Sequence, residues 1–152
     1  MHWIVLIEAI WCHGSNFTCR LIRTPSEQHL VELRSFTESS ASLLNKLSKK
    51  NRDKILEAYF GEDGARYSLT RTHINSCDFS LGQYSYAPVE GDTALKSFSI
   101  EEDRRDIIPM IKDAMAVSKD GFKILSSPWT APPWMKDNKK WVGGKLLPEY
   151  YD

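Results

Sequence analysis

Few cysteines, no net charge and no long apolar run set the first limits. The three cysteines, Cys12, Cys19 and Cys77, are an odd count without a Cys-x-x-Cys pair. That spacing gives neither a disulfide framework nor a zinc site. Twenty Lys and Arg balance twenty Asp and Glu. Charge therefore offers no basis for a nucleic-acid partner or an anionic membrane surface. The apolar run at the start, Met1–Cys12, is interrupted by Glu8 and has no basic region ahead of it. It is too short for a transmembrane segment and lacks the layout of an export signal, so a buried element or a non-native leader is expected. Asn16-Phe17-Thr18 would accept a glycan only in a secretory compartment. No internal repeat or low-complexity tract stands out.

What is present is an aromatic-rich globular composition: five Trp, six Tyr and six Phe, with 41% hydrophobic and 26% charged residues. Most of these rings are expected in a core, although aromatic faces also stack on sugars. At 152 residues the chain has the length of one ordinary domain, but a complete β/α barrel takes about 200–250.

Residues 1–35 carry no clear periodicity and read as an unassigned or aberrant leader. From Phe36 the pattern changes. Ser39–Leu47 is helix-like, with Leu43, Leu44 and Leu47 on one face. Ser48 fits an N-cap, Ile55, Leu56, Tyr59 and Phe60 supply the next apolar stripe, and Gly61 and Gly64 mark its end. Tyr67–Ile74 is rich in β-branched residues and reads as a strand. Residues 75–99 form a long polar loop, of the kind that is functional or disordered. A helix is expected over roughly Glu101–Lys119, with acidic residues in its first turn and Pro109 tolerated near its start. Phe122–Ser126 reads as a short buried strand. A Pro-rich loop follows, and Leu146–Asp152 reads as the start of another helix. Strands alternating with helices imply a parallel sheet with right-handed crossovers.

Several blocks, in order, carry a resemblance. They are Phe36-Thr37-Glu38, the strand end Arg71-Thr72-His73-Ile74-Asn75-Ser76-Cys77-Asp78-Phe79, Tyr84-Ser85-Tyr86, Phe98-Ser99-Ile100-Glu101-Glu102-Asp103, and Ser127-Pro128-Trp129 through Pro133-Trp134-Met135-Lys136. Together they resemble glycoside hydrolase family 30, the glucosylceramidase group. The resemblance covers about three quarters of the chain. It implies an α/β fold: a partial TIM-type (β/α) barrel, roughly strands two and three with flanking helices, with residues 36–152 as an incomplete barrel domain. The family's Gly-rich strand ahead of Phe-Thr-Glu is absent; Val31–Ser35 stands there instead, so the first barrel strand has no sequence signal.

The resemblance further implies a retaining β-glycosidase, hydrolysing the β-glucosidic bond of glucosylceramide or a related β-glucoside with two glutamates. The family's Asn-Glu pair has no counterpart, because the chain contains no Asn-Glu dipeptide. No catalytic residue is therefore assigned, and the chain alone is expected to be inactive. The alternative is a non-catalytic remnant or carbohydrate-binding fragment. No cofactor and no metal are implied, and oligomeric state is left open. Three substrate-binding residues follow. Asp78 matches an aspartate that accepts sugar hydroxyls, a charge-assisted interaction. Trp129 matches a tryptophan lining the sugar site. Arg71 matches an inward-pointing strand arginine. Read from the residues alone, Asp78 is more often a turn cap and Arg71 an exposed or ion-paired strand residue, while Trp129 is equally a loop anchor. His73 and Cys77 read as packed: four residues apart, with no orienting third group, they do not make a catalytic dyad.

Overall fold

The computed structural model describes residues 33–151. The leader segment ahead of Leu33, with Met1–Cys12, Asn16 and the first two cysteines, lies outside the described residues. The element order is β1 (Leu33–Phe36), α1 (Glu38–Lys46), α2 (Lys49–Phe60), β2 (Leu69–Ile74), α3 (Glu101–Arg105), α4 (Ile107–Val117) and β3 (Lys123–Pro128).

Local chemistry sets most of the boundaries. The Thr37 hydroxyl accepts the Ser40 N–H and caps α1, with Glu38 in the first turn where the helix dipole favours negative charge. Ser48 caps α2 through the Asn51 N–H, as its position suggests. Past α2 the chain folds back tightly. A Cβ on Gly64 would come within 2.4 Å of the Glu57 carbonyl oxygen, so only glycine fits there.

Two expectations need correction. The helix expected over Glu101–Lys119 is two helices, broken at Asp106 (φ −131°, ψ −51°). Pro109 explains the break. Its ring clashes with the carbonyl four residues back, that of Arg105, and it has no N–H to bond there. Leu146–Asp152 does not start an α-helix; Pro148–Tyr150 is a single 3-10 turn. Leu147 sits before Pro148 and is held extended (φ −71°, ψ 140°), as proline requires of its predecessor.

The three strands form one parallel sheet in the order β1-β2-β3. β1 was not legible in the sequence and takes in Leu33, Arg34 and Ser35, ahead of Phe36. Phe36 pairs with Thr72, and Thr72 with Ser126. α1, α2 and α4 cover one sheet face around Phe36, Ala41, Leu44, Leu56, Phe60, Ile107, Met110 and Ala114. Phe60 lies at the centre, with ring centroids 5.8 Å from Phe36 and 5.0 Å from Phe122. Each such ring, fully buried, contributes about 1.5–3 kcal/mol. Phe36 faces these helices, and paired residues in a parallel sheet point the same way. Strand alternation therefore puts Arg71, His73 and Ser127 on the opposite face, the interior of a barrel. The result is a partial (β/α) barrel. Among the described residues, no helix is long and apolar enough to cross a membrane.

Candidate functional site

The site starts where β2 ends. Asn75 follows the strand in the left-handed region, with φ 63°, a conformation that asparagine tolerates better than other residues with a Cβ. It is 7% exposed and makes three useful contacts. Its carbonyl accepts a hydrogen bond from His73 Nδ1 at 2.6 Å. Its Oδ1 accepts the Tyr86 N–H at 2.9 Å. Its Nδ2 donates to the Thr130 carbonyl at 3.0 Å. One side chain thus ties the loop after β2 to the loop after β3. The chain then makes a turn over Cys77–Ser80: the Ser80 N–H donates to the Cys77 carbonyl, and the Cys77 N–H to the Ser80 hydroxyl, both at 3.0 Å. Asp78 stands exposed in that turn.

β3 delivers the second half. The Trp129 N–H donates to the Ile74 carbonyl at 3.3 Å, extending the β2–β3 pairing past Pro128. The Trp129 indole N–H donates to Asp78 Oδ1 at 3.3 Å. The Arg71 guanidinium lies 5.0 Å from the Trp129 ring centroid and donates to Ser127 Oγ at 3.0 Å. A cation over an indole face is favourable and holds the ring in place. All three residues expected from sequence are therefore brought together, Asp78 and Trp129 just past the C-terminal ends of adjacent parallel strands and Arg71 inside β2. This is the end at which β/α folds bind ligands.

A third wall comes from the loop after Trp134. Lys136 is 5% exposed. Its Nζ donates to Thr130 Oγ1 at 3.1 Å and to the Trp141 and Gly143 carbonyls at 2.9 Å each. The three ammonium donors have three acceptors, which compensates burial of the charge. Gly143 and Gly144 have φ of 66° and 77° and let the loop turn back. Asp78, Cys77, Trp129, Lys136, Trp141 and Gly143 line an open concavity of about 420 Å³. It has a carboxylate acceptor, indole faces and backbone polar groups, which suits a small polyol such as a sugar ring.

The long loop after β2 is pinned. The Tyr84 and Tyr86 hydroxyls both donate to Asp103 at the start of α3. Burial, and then the Asp103 carboxylate, push both phenols above the ordinary tyrosine range. Buried Glu38 accepts the Leu81 N–H at 2.8 Å and Arg105 Nη2 at 2.7 Å. The helix layer thus holds the loop that presents Asp78.

Sequence reasoning missed Asn75 and Lys136 as site builders. Asn75 stood inside the quoted motif, but its left-handed backbone leaves no composition signal. Lys136 closes the Trp134-Met135-Lys136 block but carries no assigned role in the sequence; only a fold that buries it shows one. Among the described residues, no group of three or more His, Cys, Asp or Glu is placed to hold a metal ion.

A parallel strand–helix repeat, with an aspartate and an indole just past the strand ends and an arginine inside the strand beneath them, is the arrangement of a β/α-barrel segment. Residues 33–149 match the glycosyl hydrolase family 30 TIM-barrel domain, and the chain belongs to that family. It is 37% identical over 112 residues to the lysosomal acid glucosylceramidase of Mus musculus, an alignment covering 73% of this chain and 22% of that protein. Among solved structures, SrfJ from Salmonella typhimurium superposes with a TM-score of 0.73 at 36% identity, covering 78% of this chain and 27% of that one. The endo-β1,6-glucanase BT3312 superposes with a TM-score of 0.70 at 29% identity, covering 78% and 28%. The chain spans 22% of the length of the first curated relatives it matches.

Proposed function

We propose that this chain supplies one wall of the sugar site of a retaining β-glycosidase of glucosylceramidase type, and that it does not hydrolyse glycosides alone. The observation that carries this reading is the cluster of Asp78 and Trp129, just past the ends of β2 and β3, with Arg71 of β2 beneath the indole. In its role Asp78 accepts hydrogen bonds from sugar hydroxyls, which are strong because the acceptor is charged. Trp129 offers its ring face to the sugar, with the indole N–H directing the Asp78 carboxylate. Arg71 steadies the indole from the barrel interior and makes the potential there positive.

Retaining hydrolysis needs one carboxylic acid to protonate the leaving oxygen and a carboxylate about 5–5.5 Å from it to attack the anomeric carbon. The carboxylates buried around the loop are engaged otherwise: Glu38 by Leu81 and Arg105, Asp103 by two tyrosines. In this reading the two catalytic glutamates belong to other parts of a complete barrel. Similarity to both a glucosylceramidase and an endo-β1,6-glucanase supports a β-glucoside as the substrate class, in glucosylceramide or a related glucoside.

The test is an aryl β-glucoside assay of the 152-residue chain beside an otherwise identical protein extended by the remaining strands of a family 30 barrel. Release of the aryl group by the extended protein, lost in its Asp78→Asn variant and absent from the short chain, is expected. Turnover by the short chain that is lost in Asp78→Asn would overturn the division of roles.

A further inference from the structure

His73 and Cys77 are not separated along a strand. β2 ends at Ile74, and the left-handed turn at Asn75 carries Cys77 back over the strand end. The carbonyl oxygen of Asn75 can only accept, so the short contact with His73 Nδ1 places the ring hydrogen on Nδ1. Nε2 is then the ring's lone-pair nitrogen. His73 is 4% exposed, and its Nε2 is buried with no hydrogen-bond partner in place. A buried basic nitrogen without a partner is unfavourable, and the Cys77 thiol acts on this ring together with the Asn75 carbonyl and Asp103. Cys77 is partly exposed and lines the concavity beside Asp78. The Ser80 hydroxyl lies 3.8 Å from its sulfur.

We propose that Cys77 is a nucleophilic modification site on the wall of this concavity, with His73 Nε2 taking the thiol proton and soft electrophiles such as small disulfides as its reactants. Proton transfer gives the buried Nε2 a hydrogen to donate and leaves a thiolate facing it. The Phe79 N–H and the Ser80 hydroxyl support that thiolate. The thiolate attacks one sulfur of a small disulfide: a new S–S bond forms, the old one breaks, and the other half leaves as a thiolate. With a haloacetamide a C–S bond forms and the halide leaves with the bonding pair. The resulting adduct occupies the space next to Asp78. The acid–base balance agrees with the geometry. Burial alone would lower the His73 imidazole, but Cys77 and the Asn75 carbonyl outweigh it and hold it above its ordinary value. Burial alone would raise the Cys77 thiol, but His73, Phe79 and Ser80 outweigh it and hold it below. The charged and titratable groups around the pair are Asp78, Asp103, Tyr84 and Lys136. Asp103 favours the imidazolium; on the concavity wall the Asp78 carboxylate opposes the thiolate and the Lys136 ammonium favours it.

Iodoacetamide labelling of the full chain, followed by peptide mass spectrometry from about pH 5.5 to 9.5, reads the thiolate fraction directly. The midpoint for native Cys77 should lie below that of the same cysteine in guanidinium, which is about 8.5. His73→Gln should raise that midpoint and slow labelling at neutral pH by about 5- to 10-fold, since one pH unit is tenfold in thiolate at low occupancy. A small disulfide at neutral pH should form its mixed disulfide at Cys77 faster in the native chain than in guanidinium. Coincident native and denatured midpoints would overturn the proposal. So would an unchanged midpoint in a His73→Gln chain that keeps its native circular dichroism; if that variant unfolds, the wild-type comparison alone decides.

Discussion

Replacing Asn75 by alanine should disconnect the two loops that build the site. The side chain makes two hydrogen bonds, from the Tyr86 N–H at 2.9 Å and to the Thr130 carbonyl at 3.0 Å. Each contributes about 0.5–1.5 kcal/mol, and a buried partner left unpaired adds to the loss. The backbone φ of 63° adds about 1 kcal/mol for an alanine forced into the left-handed region. The sum is about 2–4 kcal/mol. Asn75→Gly separates the parts: glycine accepts the backbone angle but makes neither bond, so its loss should be smaller than that of alanine. The assay is a urea titration followed by tryptophan fluorescence and circular dichroism. With a slope of about 2 kcal/mol per molar urea, the middle of the range for a small protein, the alanine midpoint should fall by roughly 1–2 M. An alanine variant within about 0.5 kcal/mol of the parent, the range of an ordinary surface change, would refute the reasoning. A glycine variant worse than the alanine one would refute the backbone part of it.

Lys136→Met should remove three hydrogen bonds from a charged donor and cost about 2–3 kcal/mol, because relief of the buried charge offsets part of the loss. Its signature should be faster amide exchange at Asp137 and Leu147, whose N–H groups bond to Lys145 and Met135; unchanged exchange would count against the lysine as the loop's tether. Of the six tyrosines, Tyr84 and Tyr86 should resist ionisation in an alkaline ultraviolet titration. Their folded pKa values are raised, so their contribution to stability is full below the unfolded value of about 10 and is lost as pH climbs towards the folded one. Ionisation of all six tyrosines in one step, with the fold intact, would contradict the Asp103 contacts.

The two helices ahead of β2, the strand at Tyr67–Ile74 and the strand near Phe122 could be read from the pattern, because Leu44, Leu56 and Phe60 bury one face; Leu43 and Tyr59 of the expected stripes are exposed, and β3 is half-buried rather than buried. β1 could not. Leu33–Phe36 is four residues with a charge and a serine, and it is a strand because β2 offers it a parallel ladder. Pro109 was visible, but read as a residue tolerated near a helix start rather than as the breaker of the turn before it. Asp78, Trp129 and Arg71 came from the resemblance and not from residue chemistry, since each has an ordinary structural use at its position. The turn at Asn75 hid the rest. Counted along an extended strand, His73 and Cys77 are apart; folded through a left-handed residue, each acts on the other.

The central claim is that Asp78 and Trp129 form a sugar-binding wall in this chain. Its most direct measurement is saturation-transfer NMR of methyl β-glucoside with the chain and with its Asp78→Asn and Trp129→Ala variants, each verified by circular dichroism. Transfer to the glucoside in the parent, strongly reduced in both folded variants, is the predicted result. Equal transfer in all three proteins, or none in the parent, would contradict it.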